Sequence, residues 1–141
     1  MALTALESVY RALPVNLKGV GNWGDRVYPD QAPANVQRPY VIFFWAGGGE
    51  ANWTRHNDAD LIISVKCVAN TMQESMTGAG LIAAALNDKG TQDSTSPLVN
   101  GADWTITTVT SDRVIHMVEA EANAVPIYHD GAQYRVILQK N

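Results

Sequence analysis

Residues 59 to 69 alternate more strictly than any other stretch of this 141-residue chain, and that alternation limits what the chain can fold into. Ala59, Leu61, Ile63, Val65, Cys67 and Ala69 fall on one face of an extended strand. Asp60, Ile62, Ser64, Lys66 and Val68 fall on the other. Period two with one wholly apolar face calls for a sheet packed on one side. The chain offers two helices to cover that face. Leu3, Leu6, Tyr10 and Leu13 make an apolar stripe at helical spacing. Thr4 and Glu7 have capping-box spacing, and Pro14 predicts the end of this helix because its ring blocks continuation. The second helix follows the strand at once. Thr71 and Glu74 cap it, and Met72, Met76, Ala79, Ala83 and Leu86 form its stripe. Gly78 and Gly80 let it lie close to the sheet, and Gly90 predicts its end.

Further strands are read on either side. Asp25 to Pro29 reads as a short extended piece, which Pro29 keeps at a sheet edge or strand end. Tyr40-Val41-Ile42-Phe43-Phe44-Trp45 is rich in aromatic and β-branched residues, as strands are, and Ala46-Gly47-Gly48-Gly49 predicts its stop. Residues 46 to 58 then form a connection longer than most hairpin loops, which an extended hairpin arm would explain. Three closing strands are expected at residues 103–110, 113–121 and 133–139. Thr110-Ser111-Asp112 is the turn between the first two. Asn123 to Gly131, with its Asp130-Gly131 pair, links the last two. The predicted fold is a single α+β domain: a mostly antiparallel sheet of about five strands with two helices packed on it.

The chemistry written along the chain is sparse. Charged residues make up 17% and net charge is −4, with a pI near 5.2. The ten cations are scattered, whereas nucleic-acid binders carry a basic patch or stripe. Cys67 is the one cysteine, so neither an internal disulfide nor a multi-cysteine zinc site is possible. It reads as a small buried hydrophobe. Gly47-Gly48-Gly49 is followed by Glu50, not by the Lys-Ser/Thr of a phosphate loop. No two of His56, His116 and His129 have the spacing of a helical metal pair. Asp58 and Asp60 near His56 read as a solvated loop, His116 as a hydrogen-bonded sheet residue, and Asp130 as a turn cap. Glu119 and Glu121 share a strand face, and surface solvation accounts for them. No Gly-x-Ser-x-Gly elbow occurs. The N-terminal residues lack the basic start and apolar core of a signal peptide, and no apolar run reaches the length of a membrane span. A non-enzymatic protein, without catalytic, cofactor or metal site and away from membranes, is expected.

The order of segments resembles the tail-terminator, or tail-completion, proteins of long-tailed bacteriophages and prophages. The matching stretches are the N-terminal helix, Arg26-Val27-Tyr28-Pro29-Asp30, Ala32-Pro33, and Arg38-Pro39-Tyr40-Val41-Ile42. After these come the long loop and the alternating strand Leu61 to Val68. The second helix with its Ala83-to-Leu86 ending, and Tyr134-Arg135-Val136 in the closing strands, complete the pattern. The resemblance covers nearly the whole chain. Gly47-Gly48-Gly49 and residues 94–101 are not features of the group. The resemblance implies a structural virion protein, assembled in the host cytoplasm as a hexameric ring on the head-proximal end of the tail. The ring stops tail-tube polymerisation and joins the tube to the head-side connector, while DNA passes through the lumen without specific binding. Trp53, Arg55 and His56, on the 46–58 arm, are the candidate interface residues, since Trp and Arg are enriched at interface hot spots. Acidic residues such as Asp103, Glu119 and Glu121 suit a DNA-conducting wall. A head–tail connector or other neck protein remains the nearest alternative. A small cytoplasmic enzyme or ligand-binding domain is the alternative from another class, and a concave pocket with convergent polar groups would favour it.

Overall fold

A computed structural model describes residues 4–50, 58–87, 104–120 and 125–140. Two helices, α1 (Ala5–Leu17) and α2 (Met72–Leu86), accompany five strands: β1 (Val27–Pro29), β2 (Tyr40–Glu50), β3 (Asp58–Ala69), β4 (Trp104–Glu119) and β5 (Ile127–Lys140). The strands form one sheet in the order β1-β2-β3-β5-β4. Only β1 and β2 run parallel; the other neighbours are antiparallel. The α+β architecture read from the sequence is the one found. Pro29 closes the short edge strand, where its missing N–H costs no ladder bond.

The strict alternation of β3 organises the core. Ala59, Leu61, Ile63, Val65 and Cys67 are buried together with Val41 and Phe43 of β2 and Ala132, Tyr134, Val136 and Leu138 of β5. In the register, Val65 sits between Phe43 and Ala132, and Ile63 faces Tyr134. Val9, Leu13 and Leu17 of α1, and Ile82 and Leu86 of α2, join the same cluster. Both helices therefore cover the face that the alternation marked.

Several boundaries differ from the sequence reading. Pro14 does not end α1, which runs on to Leu17. The turns beyond it are tied down from three sides. Leu17 is fully buried, its carbonyl accepts the Trp23 indole N–H at 2.8 Å, and the Asn16 amide donates to the Ala12 carbonyl at 2.6 Å. Both helices also present different stripes from those expected. In α1 the buried line is Ala5, Val9, Ala12, Leu13 and Leu17, with Leu6 and Tyr10 at its margin. In α2 the buried line is Ser75, Gly78, Ile82 and Leu86, while Met72 and Met76 are about half exposed, at 51% and 54%. Small residues line this contact because the helix lies almost on the strand: a Cβ on Gly78 would overlap Cys67. Gly80 has no such neighbour, so the close-packing explanation holds for Gly78 alone. Helix α2 ends at Leu86, with Asn87 as its cap.

The glycine triplet does not stop β2. The strand continues through it, paired as Gly47 with Ile62, Gly48 with Leu61 and Gly49 with Asp60, after a bulge between Trp45 and Gly47. Gly48 has φ +81°, and a side chain there would run into the Asp60 carbonyl. The glycines let the strand pass a distortion. The expected turn at Thr110-Ser111-Asp112 is also absent. β4 is one strand of 16 residues, with register shifts between Ile106 and Thr108 and between Ser111 and Arg113. Each bulge breaks the alternation, which is why the stretch reads as two strands. β5 begins at Ile127 rather than Gln133, so His129-Asp130-Gly131 is strand and not turn. Gly131 is paired with Lys66 on one side and Ile115 on the other, and a Cβ would collide with the Val65 carbonyl.

Candidate assembly surface

Three ion pairs among the described residues join neighbouring strands of the sheet. Asp130, only 5% exposed, stands at the centre of one cluster. Its carboxylate accepts the Ser75 hydroxyl of α2 and lies 2.5 Å from His116 Nδ1 of β4. Ser75 also approaches the Met72 carbonyl at 3.0 Å. Serine, aspartate and histidine thus meet, but the carboxylate is in the middle. Nucleophile activation needs the serine hydroxyl against the imidazole, with the carboxylate behind it. Here the Ser75 hydroxyl donates a hydrogen bond to the carboxylate and is fully buried. The cluster is a clamp joining α2, β5 and β4. His116 is the hydrogen-bonded sheet residue that its alternation implied.

A second pair lies on the opposite face. His129 Nε2 is 2.7 Å from Glu119 Oε1, close enough for charge attraction but out of line for a hydrogen bond. Burial depresses the His129 pKa, and Lys66 pushes the same way, against Glu119 and Asp130. Lys66 is itself depressed by burial, and its ammonium lies 5.8 Å from the centre of the Phe44 ring. Further along, Arg135 grips Asp60 with Nε at 2.9 Å from Oδ1 and a terminal nitrogen at 2.5 Å from Oδ2. Asp60 is therefore a paired strand residue, not part of a solvated loop.

One cleft of about 410 Å³ opens beside α2, lined by residues including Asn22, Trp23, Pro39, Glu74, Thr77 and Leu81. Cys67 borders it, but burial pushes its thiol up to about 12, so it stays protonated and unreactive at neutral pH. Glu74 then has no titrating partner among the lining residues. No group of three or more His, Cys, Asp or Glu among the described residues is placed to hold a metal, and no described helix is long and apolar enough to cross a membrane.

The two ends of the sheet differ. At the β1–β2 end the backbone is closed off. The Asp30 N–H donates to the Phe43 carbonyl at 2.7 Å, Trp45 N–H donates to Tyr10 Oη at 2.9 Å, and the Trp45 indole donates to the Gly47 carbonyl at 2.6 Å. Tyr10 completes this closure by donating to Asp30 at 2.7 Å and packing edge-on against Phe43. At the other end, β4 leaves Val114, Met117 and Val118 exposed at 80%, 46% and 49%. This apolar surface lies within the strand expected at residues 113–121, and the Val114-His116-Val118 alternation read there does not mark a buried face. Trp53, Arg55 and His56 lie outside the described residues, as do Asp103 and Glu121.

At the level of sequence, neither a protein family nor a curated protein matches the chain. Its fold does match. A chain from the virion of a native gene transfer agent particle superposes with a TM-score of 0.62 at 15% identity. The match covers 96% of this chain and 95% of that one. The two share a fold from end to end, at an identity that carries no residue-level correspondence.

Proposed function

We propose that this chain is a structural virion protein. It forms a ring at the head-proximal end of a phage-like tail, stops growth of the tail tube and joins the tube to the head-side connector. The observation that carries this reading is the end-to-end fold match to a chain of a virion particle, in which neither protein has a large unmatched part. The order of segments that resembles tail terminators points the same way. The chain does its work by contact, not by catalysis. A head-to-tail interface closes into a ring when the rotation between subunits suits it. Trp53 and Arg55, on the connection between β2 and β3, contact a neighbouring subunit or the tube.

The test is tube growth. A phage tail-tube protein is polymerised with and without this chain, and tube lengths are measured by electron microscopy. Short tubes with a ring at one end are expected. Tubes that elongate unchanged would remove the terminator reading, and binding to the connector protein alone would move the chain to the head side of the joint. Trp53→Ala is expected to abolish capping without lowering the melting temperature.

A further inference from the structure

The outer edge of β4 from Asp112 to Glu119 is built to take another strand. Among the described residues no strand pairs with it. The stretch is exposed on both faces apart from Ile115, which is partly covered. An asparagine side chain, Asn87, accepts the Ser111 N–H at 2.9 Å and closes the edge up to that point. Beyond it the strand carries Val114, Ile115, Met117 and Val118 and no proline. Proteins ordinarily blunt such an edge with proline, bulges or lysine. This chain does so at its opposite edge, through Pro29, Tyr10 and Trp45. The contrast marks the β4 edge as one that can accept a partner strand.

We infer that its occupant is a second copy of the same strand, paired antiparallel about a two-fold axis through His116. In that register Arg113 stands opposite Glu119 of the partner subunit, Val114 opposite Val118 of the partner subunit, and Ile115 opposite Met117 of the partner subunit, each occurring twice. Opposite charges and apolar pairs directly across a ladder are the favourable cross-strand combinations. A full step toward Met117 sets Ile115 against Glu119 of the partner subunit, an apolar group against a charge. A full step toward Ile115 removes the Arg–Glu pairs. The sequence of this edge is thus self-complementary in one register, as an isologous contact requires. Glu119, whose side chain is 55% exposed beside His129, has free surface for a second partner. His116 is held to Asp130 of β5, and the backbone of the whole stretch is already paired with β5 on its inner side. The inference stands apart from the ring reading: it concerns the free chain, whether or not rings form on a tube.

Cysteines test the register. Val114→Cys with Val118→Cys places thiols opposite each other across the axis, while within one subunit they sit four residues apart along an extended strand and cannot join. The buried Cys67 does not compete. Mild oxidation of the double variant is expected to give a disulfide-linked dimer, and V114C alone is expected to stay unlinked. Sedimentation of the unmodified protein is expected to show a dimer, and Arg113→Glu is expected to weaken it about tenfold by setting like charges opposite each other. A monomer at every concentration with no cross-linked product overturns the proposal. So does a dimer that R113E leaves unchanged.

Discussion

At the residue scale, three side chains carry more of the structure than their types announce. Asp130 satisfies a buried serine and an edge-strand histidine at once. Asp130→Ala removes the group that joins Ser75 and His116 across elements and leaves the serine only the Met72 carbonyl of its own helix, and a loss of roughly 1–2 kcal/mol in denaturant unfolding is expected. Gly131 lies directly against the backbone of the neighbouring central strand. Gly131→Ala forces the central strands apart and should cost about 3 kcal/mol, whereas Gly80→Ala, on an open helix surface, should gain about 1 kcal/mol. His129 supplies a pH dependence. Its folded pKa is depressed by burial, so the unfolded chain binds the proton more readily. The contribution of His129 to stability is present above its ordinary range near pH 6.5 and is lost as pH falls toward the folded value. Thermal unfolding between pH 7 and pH 5 is expected to show this loss, and His129→Gln is expected to shrink it.

At the element scale, α1 carries an internal proline whose missing N–H leaves the Tyr10 carbonyl without its helical partner. Pro14→Ala is expected to raise stability by about 1 kcal/mol, a part of the full interior cost because the unfolded chain also gains freedom. A melt that moves the other way would mean that the bend at Pro14 is needed to bring Leu17 and Trp23 together. The elements also show what a single sequence makes legible. β3 was readable because its period is unbroken and one face is wholly apolar. The capping boxes were readable because Thr4 and Thr71 accept the N–H groups of Glu7 and Glu74, at 3.1 and 3.2 Å. The bulged strands were not. A bulge in β4 shifts the inward phase from Ile106 to Val109, and one in β2 hides behind three glycines that usually mark a turn. Helix faces were misread for another reason. Apolar size signals burial poorly where backbones approach closely, so Ser75 and Gly78 face inward and Met72 and Met76 face out. The buried Asp130 cluster left no local signal, because its members come from three elements.

At the scale of the whole molecule, the described residues leave one edge of the sheet closed by side chains and the other, along β4, without a paired strand. The polar clusters clamp elements together, and the cleft beside α2 holds a carboxylate and a protonated thiol. The shared fold with a virion chain then supplies the reading that the residues alone do not. Tail assembly is a matter of surfaces meeting in order, and such surfaces need little chemistry that a motif could reveal. The connection between β2 and β3, with Trp53, Arg55 and His56, is the part that the account assigns to contact.

The central claim is that this chain closes into a ring on a tail tube, and its native mass measured by light scattering tests it most directly. The protein is measured alone and again with its tail-tube protein. The account predicts that tube protein converts the free form into a closed, hexameric ring bound at the tube end. A monomer or dimer whose mass is unchanged by tube protein would contradict it, while leaving the pairing of β4 edges to be judged by the cysteine variants.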